Sequence, residues 1–251
     1  MSNLVKNLIV FSISLIVVHF TYIGLIRPQA DLAIELARQA GQSAPRNLFI
    51  ILKDYEQEIC IILMLWSSYL IISKIREIVS THYLFNVDLL ENLDSPDATV
   101  AESLEELEKL PEDIAATPLV TTLMSSLRRY LITESVQNTS DAITSNIDAL
   151  SVRLEAGNSM IRYLIWAIPS IGFIGTVRGI GQALTDAQKA LNGDISSMTE
   201  SLGIAFNSTF VALLISILLM FLLHQLQRMQ DGLLVDTQAY CEKFLLTRIS
   251  K

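Results

Sequence analysis

The chain has 251 residues, 51% of them hydrophobic and 18% charged, with a formal net charge of −8 and a mean hydropathy of +0.44. A soluble domain carries about 25% charged residues, so the composition is that of a membrane protein. The acidic balance excludes the basic face with which nucleic-acid binders meet phosphates.

Hydrocarbon about 30 Å thick takes roughly 20 apolar residues in a helix, and charge-free stretches bounded by charges mark four spans. The first, residues 7–26, lies between Lys6 and Arg27. It exceeds a signal-peptide core and has no A-x-A-like cleavage site after it, so it reads as a retained helix. The second, residues 59–73, is short, but the flanking Glu58 and Lys74 have long side chains that snorkel, and Ile75 and Ile78 extend it. The third covers residues 163–183 with one internal charge, Arg178, and the fourth, residues 201–227, is the longest charge-free segment.

Basic residues flank spans on the cytoplasmic side. Lys6, Lys74, Arg76, Arg162 and Arg228 share that side in a two-hairpin topology, with Arg27 and Lys53 opposing. Both termini are then cytoplasmic. The predicted fold is all-α: a polytopic membrane protein with four transmembrane helices in two hairpins and helical cytoplasmic extensions. Residues 1–76 hold the outer pair with an extracytoplasmic segment at about 27–58, residues 77–157 an acidic cytoplasmic region, residues 158–227 the inner pair, and residues 228–251 a helical tail.

Between Lys74 and Arg162 there are 15 acidic and 7 basic residues. Glu102, Glu105, Glu106, Glu108, Glu112 and Asp113 alternate with Leu104, Leu107 and Leu110 at helical spacing. This predicts an amphipathic helix with a solvated acidic face, the alternative being a docking surface for a cytoplasmic partner. Residues 119–154 are helix-like, and the Ser95-Pro96 and Thr117-Pro118 steps are the expected breaks.

On the third span Gly172, Gly175, Thr176, Gly179 and Ala183 fall within an arc of about 100°. Ala205, Ser208, Thr209, Ala212 and Ser216 do the same on the fourth. Two readings stand: close packing of the GxxxG type, or a shared lumen in which the hydroxyls carry water or pass a proton. Arg178 lies off the small face near the outer end of its span. It either snorkels to the interface or pairs with Asp186 or with a carboxylate of a partner. His19 and His224 sit near span ends as interfacial imidazoles. The three histidines and the cysteines Cys60 and Cys241 have no metal-ligand or disulfide spacing. No nucleophile and base meet at membrane depth, which speaks against an intramembrane enzyme.

Pro169, Gly172, Gly175, Thr176, Val177 and Gly179 follow the pattern P-x-x-G-x-x-G-T-V-x-G without a gap, and residues 203–210 continue it on the next helix. Here the chain resembles the MotA/TolQ/ExbB proton-channel family. Its four-helix layout is similar to the MotA branch, its glycine-threonine motif to the TolQ/ExbB branch. The resemblance implies an ion pathway at Thr176, Thr209 and Ser208, with close helix packing around a lumen at Pro169, Gly172, Gly175, Gly179, Ala205 and Ala212. It further implies a pentamer around a single-span MotB/TolR/ExbD-like partner with an intramembrane aspartate, in the bacterial inner membrane, as the stator of a motor complex driven by proton flow. No cofactor is implied; the transported ion is a proton or sodium, and the contacts are with lipid and protein, not nucleic acid. ExbB-like members carry a glutamate shortly before the second threonine, where this chain has Ile204 and no acid over residues 201–227. The titrating carboxylate is thus expected from the partner. The alternative is a membrane-anchored sensor or scaffold without conduction, with residues 27–58 as the sensing element.

The topology is checked by single cysteines at Ala40, Leu191 and Leu107 in a background lacking Cys60 and Cys241. An impermeant thiol reagent outside the cell is expected to label the first two and spare the third. Labelling of Leu107 alone overturns the topology.

Overall fold

The computed structural model describes residues 3–40, 47–94, 99–188 and 195–250. Within them every regular element is helical, and four helices are long and apolar enough to cross a membrane. Leu191 and the Ser95-Pro96 step lie outside the described residues. The chain divides into two compact units, Met1–Ile72 with Met160–Leu223, and Ser73–Ser159 with His224–Lys251.

In the first unit helix α1 (Asn3–Thr21) does not stop at Arg27. It passes through a π-helical turn, Tyr22–Ile26, into α2 (Arg27–Gln39). The reason lies in Pro28, which has no N–H and crowds the carbonyl four residues earlier. The wider turn before it lets the helix continue. Short helix α3 (Leu48–Leu52) is capped by Asn47, whose side chain accepts from the Ile50 amide at 2.9 Å, and leads into α4 (Tyr55–Thr81). Val18 and Tyr22 of the first helix pack on Ile62 of α4, flanked by Phe11, Ile26 and Ile61. Much of the rest of α1 is apolar and exposed, as a lipid-facing surface is: Leu8, Ile13, Ile16 and Phe20 are at least half exposed.

The second unit contains α5 (Val100–Glu108), α6 (Glu112–Ala115), α7 (Pro118–Thr133), α8 (Val136–Gly157) and α11 (Thr247–Ile249). Thr99 and Glu102 form a reciprocal capping box that starts α5. The acidic cluster is not one helix: α5 ends at Glu108, and Glu112 and Asp113 begin α6 after Pro111, but the apolar and acidic sides hold, with Leu107 buried, Leu104 and Leu110 packed against the same core, and the carboxylates outward. Proline at its first position opens α7, at the Thr117-Pro118 step. The stretch 119–154 is not one helix. Glu134 takes a left-handed conformation (φ 47°) and Ser135 caps the next helix, turning the chain into a hairpin of α7 on α8. Leu123, Leu127, Ile143 and Ile147 meet in its core.

That core also takes in the C-terminal residues Tyr240, Cys241 and Leu245. The Tyr240 hydroxyl donates to Val87 O at 2.8 Å and accepts from the Leu89 amide at 2.7 Å. Arg248 forks onto Asp88 at 2.9 and 2.5 Å and donates to Leu90 O at 2.9 Å. Hydrogen bonds from Arg248 hold the Asp88 carboxyl below its usual range, against the opposing pull of burial. A depressed folded value means the pair's contribution is present above the unfolded value of about 3.9 and is lost as pH falls through the folded one. Arg248→Ala is expected to cost about 1 kcal/mol at pH 7. The difference from wild type should shrink in strong acid to what the Leu90 carbonyl contact contributes, as read by thermal unfolding in detergent at both pH values.

Candidate functional site

Helices α9 (Ser159–Thr185) and α10 (Ser196–Tyr240) carry the motif residues, and the small faces predicted from sequence meet each other. A Cβ on Gly172 would lie 2.6 Å from the Ala212 Cβ. One on Gly175 would lie 2.5 Å from the Ser208 Cβ, and one on Gly179 2.6 Å from the Ala205 backbone nitrogen. Ala205, Ser208 and Ala212 are at most 1% exposed. Within the chain, then, these faces are filled by one another.

Pro169 has a second use. Its missing N–H leaves the Ile165 carbonyl without a helical partner, and Ser216 of α10 donates to that oxygen at 3.2 Å. The Cys60 thiol of α4 donates to Ile168 O, just before the proline, at 3.7 Å. In hydrocarbon a free backbone carbonyl costs several kcal/mol, so the proline ties α9 to its neighbour.

Thr176 and Thr209 sit partly buried at the edge of this seam and hydrogen-bond each other. Each also reaches across to the opposite helix. Thr176 Oγ1 lies 3.0 Å from Ala205 O and 3.2 Å from Gly172 O of its own helix, and Thr209 Oγ1 lies 3.2 Å from Gly172 O. Two hydroxyl protons serve three acceptors, counting the partner hydroxyl, so the pair can exchange donors without leaving its place. Ser208, the third pathway candidate, donates to Ile204 O at 2.9 Å. Phe173, Val177, Phe206 and Phe210, neighbours of the pair along the two helices, are more than half exposed.

The reading of Arg178 is corrected. Arg178 neither snorkels free nor pairs with Asp186: its Nε and Nη2 donate to Glu56 at 2.8 Å each, and Nη2 lies 3.6 Å from Asp54. His19 Nδ1 lies 2.7 Å from Glu58, which also accepts from Arg27. Lys53 pairs with Glu200 at 2.9 Å. Gln57 is fully buried, and its Nε2 reaches Ile51 O at 3.1 Å and Ser208 Oγ at 3.4 Å. The first turn of α4 thus delivers Glu56 to α9, Gln57 to α10, and Glu58 to both α1 and α2. The Glu56 side chain also touches the bare face at Gly175, 3.1 Å from where a Cβ would be. Sequence reasoning missed this group, because charges at the end of an apolar run were counted as span flanks. The available signal was the unbroken polar triplet itself. Among the described residues no three His, Cys, Asp or Glu side chains are arranged to hold a metal ion.

The sequence model of the MotA/TolQ/ExbB proton channel family matches residues 113–239, just over half of the chain. No curated protein and no solved structure matches.

Glycine contacts make a direct test. At Gly179 the obstruction is backbone, with Ser201 O 2.7 Å from the added carbon, whereas a Cβ at Gly181 meets nothing within 4 Å. Gly179→Ala is expected to cost about 1–3 kcal/mol by overpacking and Gly181→Ala nothing comparable. Thermal stability of the purified chain in detergent checks the contrast.

Proposed function

Because the chain belongs to the MotA/TolQ/ExbB proton channel family, and is thereby a multi-pass membrane protein and a proton-channel subunit, we propose that it forms a ring around a single-span partner and couples proton flow to mechanical work. The family works in general with MotB/TolR/ExbD-type partners. In this reading the ring is a pentamer in the bacterial inner membrane with both termini cytoplasmic, acting as the stator of a motor complex. The partner contributes an intramembrane aspartate.

The observation that carries the proposal is the threonine pair. Thr176 and Thr209 place two interchangeable hydroxyls, partly accessible, on a seam whose other side chains are apolar or small. A charge crossing 100 mV of membrane potential releases about 2.3 kcal/mol, while an ionised aspartate at the bilayer centre costs a few kcal/mol or more. Protonation therefore decides where a partner's aspartate can rest. The hydroxyl pair gives it one polar stopping point per subunit, and repeated subunits turn successive proton transfers into rotation.

Valine has threonine's shape without the hydroxyl. Thr176→Val and Thr209→Val are expected to leave the oligomer assembled, since interhelical hydrogen bonds in membranes average about 0.6 kcal/mol, and to abolish proton-driven work. Gly175→Leu, which fills the seam itself, is expected to damage assembly. Proton flux into liposomes holding the complex, together with its size by native mass spectrometry, separates the two effects. Wild-type flux in both threonine variants overturns the site.

A further inference from the structure

The outer ends of the helices in the first unit hold ionisable groups that the threonine pathway does not use. Arg178 donates twice to Glu56, at 2.8 Å, and its Nη2 lies 3.6 Å from Asp54 Oδ1. Two carboxylates share one guanidinium. The neighbouring cations are engaged elsewhere: Lys53 holds Glu200, and Arg27, with His19, holds Glu58. Among the described residues, this outer group thus sets the carboxylates of Asp54, Glu56, Glu58 and Glu200 against the permanent cations Arg27, Lys53 and Arg178. The remaining titratable neighbours are Tyr22 and Cys60, both buried, the thiol directed at Ile168 O, and the exposed Tyr55, whose ring lies against Arg27.

A second observation is independent of charge. Asp54 Oδ2 and Gln57 Oε1 are buried acceptor oxygens with no hydrogen-bond partner. Leaving an acceptor dry and unpaired costs about 1–3 kcal/mol. A water molecule or a hydronium ion supplies the missing donor. Gln57 is fully buried, and its amide nitrogen points at Ser208, the residue next to Thr209.

We propose that Asp54 and Glu56 form a proton-loading pair of the chain's own, at the outer mouth of the pathway, which Arg178 holds in place. The inference rests on the channel reading above and adds to it a titrating group that does not come from the partner. Like charges held together favour uptake of one proton, which belongs to the pair rather than to either residue. Burial pushes the Asp54 carboxyl above its usual range, with Lys53 and Arg178 pulling the other way. In the step itself a hydronium ion of the outer water gives up its proton, a carboxyl O–H bond forms, and a water molecule leaves. On release that O–H bond breaks, and the proton passes to a water or to the partner's carboxylate beside Gln57, Ser208 and Thr209. No electrons change hands.

Asp54→Asn and Glu56→Gln each leave one carboxylate for Arg178, so neither strands an unpaired buried charge. A pair that served only as an ion bridge would make Glu56→Gln the damaging change and Asp54→Asn a silent one. The loading pair makes both assemble and both lose flux, by roughly tenfold or more, as loss of a proton-transfer group does, with Asp54→Glu retaining it. The measurement is proton entry into dye-loaded liposomes containing the full chain in its native complex, under an imposed potential. Undiminished flux in Asp54→Asn beside a conducting wild type overturns the loading pair alone; absence of flux in the wild type overturns the channel reading with it. Should Glu56→Gln fail to assemble, the Asp54→Asn result decides. Independently of any partner, dicyclohexylcarbodiimide is expected to modify the wild-type pair more at about pH 6 than at about pH 9 and to spare Asp54→Asn, as read by peptide mass spectrometry. No modification at either pH overturns the proposal.

Discussion

The separation between α9 and α10 is the constraint on which the candidate pathway depends. Three glycines on one helix face two alanines and a serine on the other, and the contacts are so short that Gly179 accommodates backbone atoms where a methyl group would stand. Lipid offers apolar helices no hydrophobic reason to associate, so dispersion at close range and cross-helix hydrogen bonds must do it. The threonine hydroxyls reach carbonyls of the opposite helix because the backbones are this near. Ser216 can satisfy the carbonyl exposed by Pro169 for the same reason. Packing and polarity are therefore one arrangement here: the small residues that permit approach also bring donors and acceptors within reach.

Where Glu56 reaches this seam, charge takes over from shape. Glu56 and Glu58 are buried to 7% and 5% exposure, a state that carboxylates tolerate only with partners in good geometry. Arg178 from α9, His19 from α1 and Arg27 from α2 supply those partners, and α4 threads between them. Such pairs add little net stability compared with apolar packing, but removing one member is costly. Where two carboxylates meet a single guanidinium, the same arrangement leaves room for a proton.

The second unit is built on different terms. Its core is a conventional apolar one, closed by α7 and α8 and completed by residues from the end of the chain. Tyr240 and Arg248 fasten that end to the segment around Asp88 through both side-chain and backbone groups. The acidic side chains of α5 and α6 stay outside this core and keep the surface strongly negative.

Much of this was legible in the residue pattern. Charge-free runs located four membrane helices because burying a charge in hydrocarbon is costly whatever the fold. Helical period placed Gly172, Gly175, Thr176 and Gly179 on one face, and the motif pointed to the family. Period alone could not say what that face would meet, because a bare stripe suits a neighbouring helix of the same chain as well as a lumen. Hydropathy likewise read Glu56, Gln57 and Glu58 as the edge of a span. Whether an edge charge faces water or another helix depends on contacts more than 100 positions apart in the chain, such as that between Glu56 and Arg178. Local chemistry determined the helices, their membrane character and the candidate hydroxyls. Tertiary structure alone decided which partner each polar group has, since a hydrogen bond or ion pair is set by distance in space and sequence spacing reports distance only within one helix.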